Sequence, residues 1–444
     1  MIRQPWRKTG LLLFLALVSA LALTFQGCGG GGGTSSYNPP SSASTGVVVD
    51  AATVKSWVDG GQVNGTGYNK VVILDLGTSA DYSAGHIPGA QWVDSNSLYE
   101  NRNEGVLTDV NIVLDGPTMD ALVQKYGIDQ NTTIVFTSSD PTAKSVSPYW
   151  TVGRAYWTFR YWGFSKDRLK ILNGLDAAYA DQYGLTTAAS PAITASTYSV
   201  KDNASFRGDL RASLAGMINF ADGKDTNTAV IDARGQDGDG YDVKSSYSGD
   251  ADQTPGVWPS GPGKAAKTYV AFEGHIKGAI AVNSNFFYKT VTGTSQTYKV
   301  FLSASDMASM LAANGINSSE TIIVHCRTGV IAAGAFVAID SVLGWNVENY
   351  DGSWSQWGML ASTANCGPLD PNSPWRTDTA QRTANLTFNP PGTSCANIED
   401  GTDNGTYPVN SFDTDLNRIN EQDSAYFSGG SGGSGSGGGG NIGC

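Results

Sequence analysis

Two distant stretches of the chain read alike, GHIPGA at 85–90 and GHIKGA at 274–279, each preceded by a short apolar strand that ends in aspartate. The likeness extends in both directions. The first copy reads VVILDLGTSADYSAGHIPGAQWV (71–93), TTIVFTSSDPTAKS (132–145) and LKILNGLDAAYADQYG (169–184). The second reads TAVIDARGQDG (228–238), EGHIKGAIAV (273–282), ETIIVHCRTGVIAA (320–333) and VENYDGSWSQWG (347–358). An internal repeat of this size constrains the fold more than any composition. Within each copy, continuous apolar runs of a few residues alternate with helix-like stretches. Such runs are strands buried on both faces, which is the signature of parallel sheets covered by helices. The expectation is an α/β protein made of two tandem domains, each a parallel β-sheet flanked by helices.

The ends of the chain differ in kind. MIRQPWRKTG carries Arg3, Arg7 and Lys8, and an apolar run from Leu11 to Phe25 follows, short for a membrane span and laid out as a secretory signal. It ends in LTFQGC, which resembles the bacterial lipobox and makes Cys28 the expected lipidation site. Lipid on Cys28 would tether the chain without spanning the bilayer. Gly29 after it, in place of aspartate, points the resemblance to the outer membrane of the cell envelope. An ordinary signal peptide with a chance cysteine is the competing reading. The expected layout is a signal peptide at 1–27, a flexible Gly/Ser-rich tether at 28–46, domains at 47–190 and 195–365, and an extension at 366–444 with a Gly/Ser-rich tail. The polar part of that extension reads as an irregular appendage packed on the last domain. With formal net charge −12 and no basic patch, nucleic acid is not expected as a partner.

Of five cysteines, Cys326 alone lies inside a repeat. It ends an apolar strand and opens a loop that feeds a helix expected to begin near Ala332. That is where open α/β sheets hold their ligands. Backbone N–H groups of Arg327, Thr328, Gly329, Val330 and Ile331 can curl into an anion-binding nest, reinforced by the positive end of the helix. Such a loop favours a thiolate, which is the nucleophile. A buried, inert core cysteine is the alternative. His325 precedes Cys326 on the strand and should face away from it, so a core or supporting histidine is expected rather than a Cys–His pair. His86 and His275 sit in the two Gly-His-Ile turns as loop organisers. Three dispersed histidines give no expectation of a catalytic metal. Asp237, Asp239 and Asp242 in DGDGYD lack the later glutamate of a calcium loop and read as a solvated acidic stretch. Outside the repeats, Cys366 and Cys395 are a possible disulfide in an oxidising compartment, and the state of Cys444 is open.

The motifs GHIPGA, DAR, GHIKGA, HCRTGV and YDGSWSQW, in this order, resemble those of the tandem-domain rhodaneses, the thiosulfate and mercaptopyruvate sulfurtransferases. The resemblance covers roughly residues 47–360. It implies that Cys326 takes a sulfane sulfur from thiosulfate or a related donor as a persulfide and hands it to a thiophilic acceptor, with no organic cofactor. It also implies that Arg234 binds the anionic donor, with Arg327 and the loop residues Thr328 to Ile331 lining the site. An arginine suits that task because its fork grips sulfonate or carboxylate. Aligning the copies by sequence sets Thr137 against Cys326 and Leu76 against the DAR arginine, so the first copy is expected to be catalytically degenerate. Two departures stand out: Thr328 replaces the lysine of thiosulfate-type loops, and Ile331 replaces a hydroxyl residue. The apolar residues after Val330 disfavour a cysteine phosphatase, whose loop ends in a phosphate-binding arginine. The stretch 235–272 is long enough to cover a cleft. The rival classes are a rhodanese-fold scaffold or binding lipoprotein in an outer-membrane complex, and selenium handling by the same cysteine. Small anionic donors, a thiol or cyanide-like acceptor and the membrane are the expected partners.

Overall fold

A computed structural model describes residues 46–104, 108–140, 145–234, 276–360 and 416–429. Cys28, Cys366, Cys395, Cys444, His275, the stretch 235–272 and its aspartates lie outside the described residues. Among the described residues, no helix is long and apolar enough to cross a membrane.

The first repeat forms a parallel sheet from β1 (Val48–Val49), β2 (Val71–Asp75), β3 (Gln91–Trp92), β6 (Thr133–Thr137) and β7 (Leu169–Leu172), in the order β1-β7-β6-β2-β3. Between β3 and β6 it projects an antiparallel ribbon, β4 (Glu100–Asn103) with β5 (Thr108–Ile112). The second repeat builds β8 (Thr228–Asp232), β9 (Ile280–Ala281), β12 (Thr321–His325) and β13 (Val347–Asn349) into a parallel sheet ordered β13-β12-β8-β9. Its ribbon pairs β10 (Tyr288–Thr292) with β11 (Thr297–Phe301). The continuous apolar runs have the expected cause: every residue of β2, β6 and β7 is buried.

Helices α1 (Ala51–Asp59), α2 (Ser79–Ala84), α3 (Gly116–Lys125), α4 (Ser147–Tyr161) and α5 (Leu175–Tyr183) belong to the first repeat. In the second are α6 (Leu214–Ala221), α7 (Ala304–Ala313), α8 (Val330–Ala338) and α9 (Ser353–Leu360), and α10 (Arg418–Phe427) follows. Side-chain caps start several of them: Asp50 accepts from the Thr53 N–H, Asp115 from Thr118 and Ser303 from Asp306.

The two repeats share one core. Phe136 and Tyr156 of the first pack with Phe336 of the second. Helices α4 and α8, equivalent in the two copies, cross where Gly153 and Gly334 let the backbones meet. A Cβ at Gly153 would overlap the Ala333 carbonyl, and one at Gly334 would lie 2.9 Å from Trp150 Cδ1. The ribbons reach across as well. The Asp181 carboxylate of α5 accepts N–H bonds from Thr294, Ser295 and Gln296 at the tip of β10–β11. In the other direction, Ser355 Oγ of α9 donates to Asp109 of β5 at 3.3 Å.

The extension corrects one expectation. Its described part is a helix, α10, not an irregular stretch, and it docks on the first repeat as well as on the start of the second domain. Arg102 grips Asp423 with two bonds of 2.8 and 2.7 Å, Tyr161 donates to the same carboxylate, and Tyr426 donates to Asp120. Asn420 donates to the carbonyls of Gly208 and Arg211. The helix was hard to read because much of what it uses for docking is polar.

Replacing Gly153 by alanine tests the helix crossing. Helix propensity alone would favour alanine by about 1 kcal/mol, but the clash with a backbone carbonyl should win. A net loss of roughly 1–3 kcal/mol is expected in urea unfolding.

Candidate active site

Cys326 follows the last residue of β12, and Gly329 caps α8 in the left-handed region at φ 74°. The helix therefore starts at Val330, two residues before the expected Ala332, and the amides of Val330 and Ile331 belong to its first turn. Glycine is needed at 329 for contact as well as conformation: a Cβ there would lie 2.6 Å from Asp351 Cα and 2.7 Å from its carbonyl oxygen. Thr328, Val330 and Ile331 are half-buried, Arg327 and Gly329 are buried, and the Cys326 side chain is 1% exposed.

The backbone of this loop is held by the start of α9. Ser353, itself at φ 51°, accepts the Cys326 N–H at 3.1 Å and donates to the Tyr350 carbonyl. The N–H groups of Trp354 and Ser355 bond the carbonyls of Cys326 and Arg327 at 3.1 and 2.8 Å. These residues lie in the YDGSWSQW motif, but their roles depend on a contact between strand ends that spacing does not disclose.

Arg234 lies at the end of β8, beside β12 in the sheet, with its guanidinium 5.5 Å from the ring centroid of Trp354. Its Nε and Nη2 donate to both oxygens of Asp232 at 2.9 and 2.7 Å, so this edge of the fork is held by its own strand. His325 is fully buried, with Nε2 3.7 Å from Asp232 Oδ2 and Nδ1 3.2 Å from the Cys326 carbonyl oxygen. Asp232 thus joins Arg234 and His325 into one array along the strand ends, and the histidine supports rather than faces the thiol.

Sequence reading missed a second layer. Asp351 is fully buried: its Oδ1 accepts from Arg211 Nε at 2.8 Å and its Oδ2 from the Val113 N–H at 2.9 Å. Arg211 also grips Glu104 of the first repeat. Burial alone would lower the Arg211 guanidinium, but Asp351 and Glu104 outweigh it and keep the group charged. Arg154 of α4 stands 4.0 Å from Asp351 Oδ2, donates to the Asn111 carbonyl at 2.7 Å, and lies over the rings of Tyr99 and Trp157.

The backbone bonding revises the match between copies. Leu76 N–H bonds the Thr137 carbonyl as Ala233 N–H bonds that of His325, and Asp176 N–H bonds Ser138 as Trp354 N–H bonds Cys326. Ser138, not Thr137, therefore stands where Cys326 does, and Gly77, not Leu76, stands where Arg234 does. A one-residue slip is easily made when only apolar pattern guides the alignment. Nucleophilic thiol and cation are still missing from the first copy. Its equivalent space is filled: Ser139 bonds Asp75 through N–H and hydroxyl, and a Cβ at Gly77 would overlap the Ser139 hydroxyl. His86 stacks on Tyr82 and bonds its carbonyl, as a loop organiser would.

Residues 219–360 match the family model described as a rhodanese-like domain. Similar curated proteins include a putative thiosulfate sulfurtransferase of Haloferax volcanii, 27% identical over 71% of this chain and 94% of its own length. The sulfur carrier protein TtuD of Thermus thermophilus is 26% identical over 63% of this chain and 84% of its own. The solved wild-type structure of EanB superposes at a TM-score of 0.51 with 16% identity, over 70% of this chain and 67% of that one. YnjE superposes at 0.50 with 18% identity, over 70% and 66%. These two show a shared fold.

In the first copy, burial and then the neighbouring Asp75 charge push the Asp176 carboxyl well above the usual range. Folding favours its protonated form. Its contribution to stability is complete below the ordinary aspartate value of about 4 and is lost as pH rises toward the folded value. Asp176→Asn is expected to remove that loss, so the variant should gain on the wild type as pH rises above about 4, read as the difference in urea midpoints across pH. Residues 219–360 match a rhodanese-like domain, and over 71% of its length the chain is similar to a protein named as a putative thiosulfate sulfurtransferase.

Proposed function

We propose that the protein moves sulfane sulfur through a persulfide on Cys326. The observation that carries this reading is the loop itself: a cysteine at the end of a parallel strand, a left-handed glycine, and a helix whose first-turn amides follow immediately. The relatives named as thiosulfate sulfurtransferase and sulfur carrier support sulfur transfer as the reaction class. In the first step the Cys326 thiolate attacks the outer sulfur of thiosulfate. A new S–S bond forms, the donor's S–S bond breaks, and sulfite leaves with the electron pair. In the second step a thiol or cyanide-like acceptor takes the outer sulfur and returns the thiolate. Arg234 and Arg327 would steady the anion, with Thr328, Gly329, Val330 and Ile331 lining the loop. For Arg234 to meet the donor with Nε and Nη2, it must share those groups with Asp232. A cysteine that is only 1% exposed suits a small donor better than a bulky one.

Intact mass of the purified protein, taken after thiosulfate and again after cyanide, tests this. One added sulfur that cyanide removes, absent in Cys326→Ser, is the expected result. No adduct with thiosulfate, mercaptopyruvate or polysulfide would overturn it in favour of a scaffold role.

We also propose that the chain is anchored by lipid on Cys28 in the cell envelope, on the outer membrane. The support is the cationic start, the short apolar run and the LTFQGC ending. Labelled palmitate should enter the wild-type chain in a bacterial host and the label should co-fractionate with outer membranes. Incorporation undiminished in Cys28→Ala would refute the assignment.

A further inference from the structure

The first repeat lacks a thiol and a cation in its own pocket, yet it sends a cation toward the other one. Arg154 is fully buried on α4, and only Nη2 is hydrogen-bonded to protein, at the Asn111 carbonyl. Its Nε and Nη1 have no partner. A buried guanidinium left this way loses hydration that the protein does not replace. Asp351 does not satisfy those atoms: it already accepts from Arg211 Nε and the Val113 N–H, and Arg154 approaches it through Nη2 at 4.0 Å, beyond hydrogen-bond reach.

Placement is rigid. Arg154 adjoins Gly153, where an added Cβ would overlap the Ala333 carbonyl oxygen in the opening turns of α8, the helix that follows the Cys326 loop. The guanidinium is held over the rings of Tyr99 and Trp157, with centroids 5.2 and 4.7 Å from its carbon. Burial pushes this guanidinium below the usual arginine range. The Asp351 carboxylate pulls it back, as would a phenolate at Tyr99 or a thiolate at Cys326, while Arg211 acts with the burial. A Cys326 thiolate would act on Tyr99 as well.

We propose that Arg154 is a positioning residue that the first repeat supplies to the second, offsetting the negative charge of the Cys326 thiolate and of the persulfide that replaces it. The persulfide half of this assignment rests on the sulfur-transfer reading; the thiolate half does not. It gives the first repeat a chemical part in the site beyond walling it.

Thiolate absorbance measured against pH, as the difference between each protein and the same protein carrying Cys326→Ser, reads the thiol without needing a reagent to reach it. Neutral Arg154→Gln and Arg154→Met are expected to raise the midpoint by about one pH unit or more, with Arg154→Lys recovering part of the shift. A folded neutral variant, judged by circular dichroism, with the wild-type midpoint would overturn the proposal. If neither neutral variant folds, Arg154→His, which is neutral above about pH 7, takes their place, and a wild-type midpoint there would assign the residue to the fold alone. A shifted midpoint without persulfide formation would uphold Arg154 and reject the sulfur-transfer reading. An intact persulfide reaction with no shift would do the reverse.

Discussion

The Asp351 carboxylate is where the parts of this molecule meet. Its backbone lies against Gly329 so closely that no side chain fits between them. Its oxygens take the Val113 N–H from the first repeat and Arg211 from the connector, and Arg211 passes the link on to Glu104. A carboxylate so deep is tolerable only when cations and N–H groups surround it, and breaking one side of such an array leaves an uncompensated charge. The loop that carries Cys326 therefore rests on a group held by the connector's Arg211 and by a backbone N–H of the other repeat. The shape of the site and the docking of the repeats are one arrangement.

Duplication explains the layout, and divergence explains the chemistry. Asn173 accepts the Phe301 N–H as Asp351 accepts that of Val113, and Leu175 and Ser353 share the same positive φ. Each ribbon leans on the opposite repeat at corresponding places. One pocket keeps a thiol under a helix start, while the other has Ser138 at that place and Ser139 bonded into the space beside Asp75. A pair of buried carboxyls, Asp75 and Asp176, remains there and favours protons.

The sheets were legible because unbroken apolar runs such as VVILD and TIIVH leave little choice beyond parallel strands covered on both faces. The place of Cys326 was legible for the same reason: a strand end before a glycine is a local pattern. What escaped was long-range. Nothing near Arg154 in WTVGRAYW says that its neighbours are Asn111, Tyr99 and Asp351, since each comes from a different element. Asp232 and Arg234 are two residues apart, but the sequence does not say that a side chain just past a strand end turns back onto the strand. The match of Ser138 to Cys326 required the hydrogen bonds between strands, because a one-residue slip leaves the apolar pattern almost unchanged.

The docking of α10 bears on how the chain acquires its structure. Arg102 and Tyr161 converge on Asp423, which comes 321 residues after Arg102. A ribosome delivers the first repeat long before that partner exists. Until then the arginine, only 9% exposed in the finished side-chain packing, has no carboxylate to meet and no reason to leave water. The first repeat thus completes its surface only after the second has been made. Synthesis order and the completion of this surface part company: the residues that receive Asp423 are made first and their partner last.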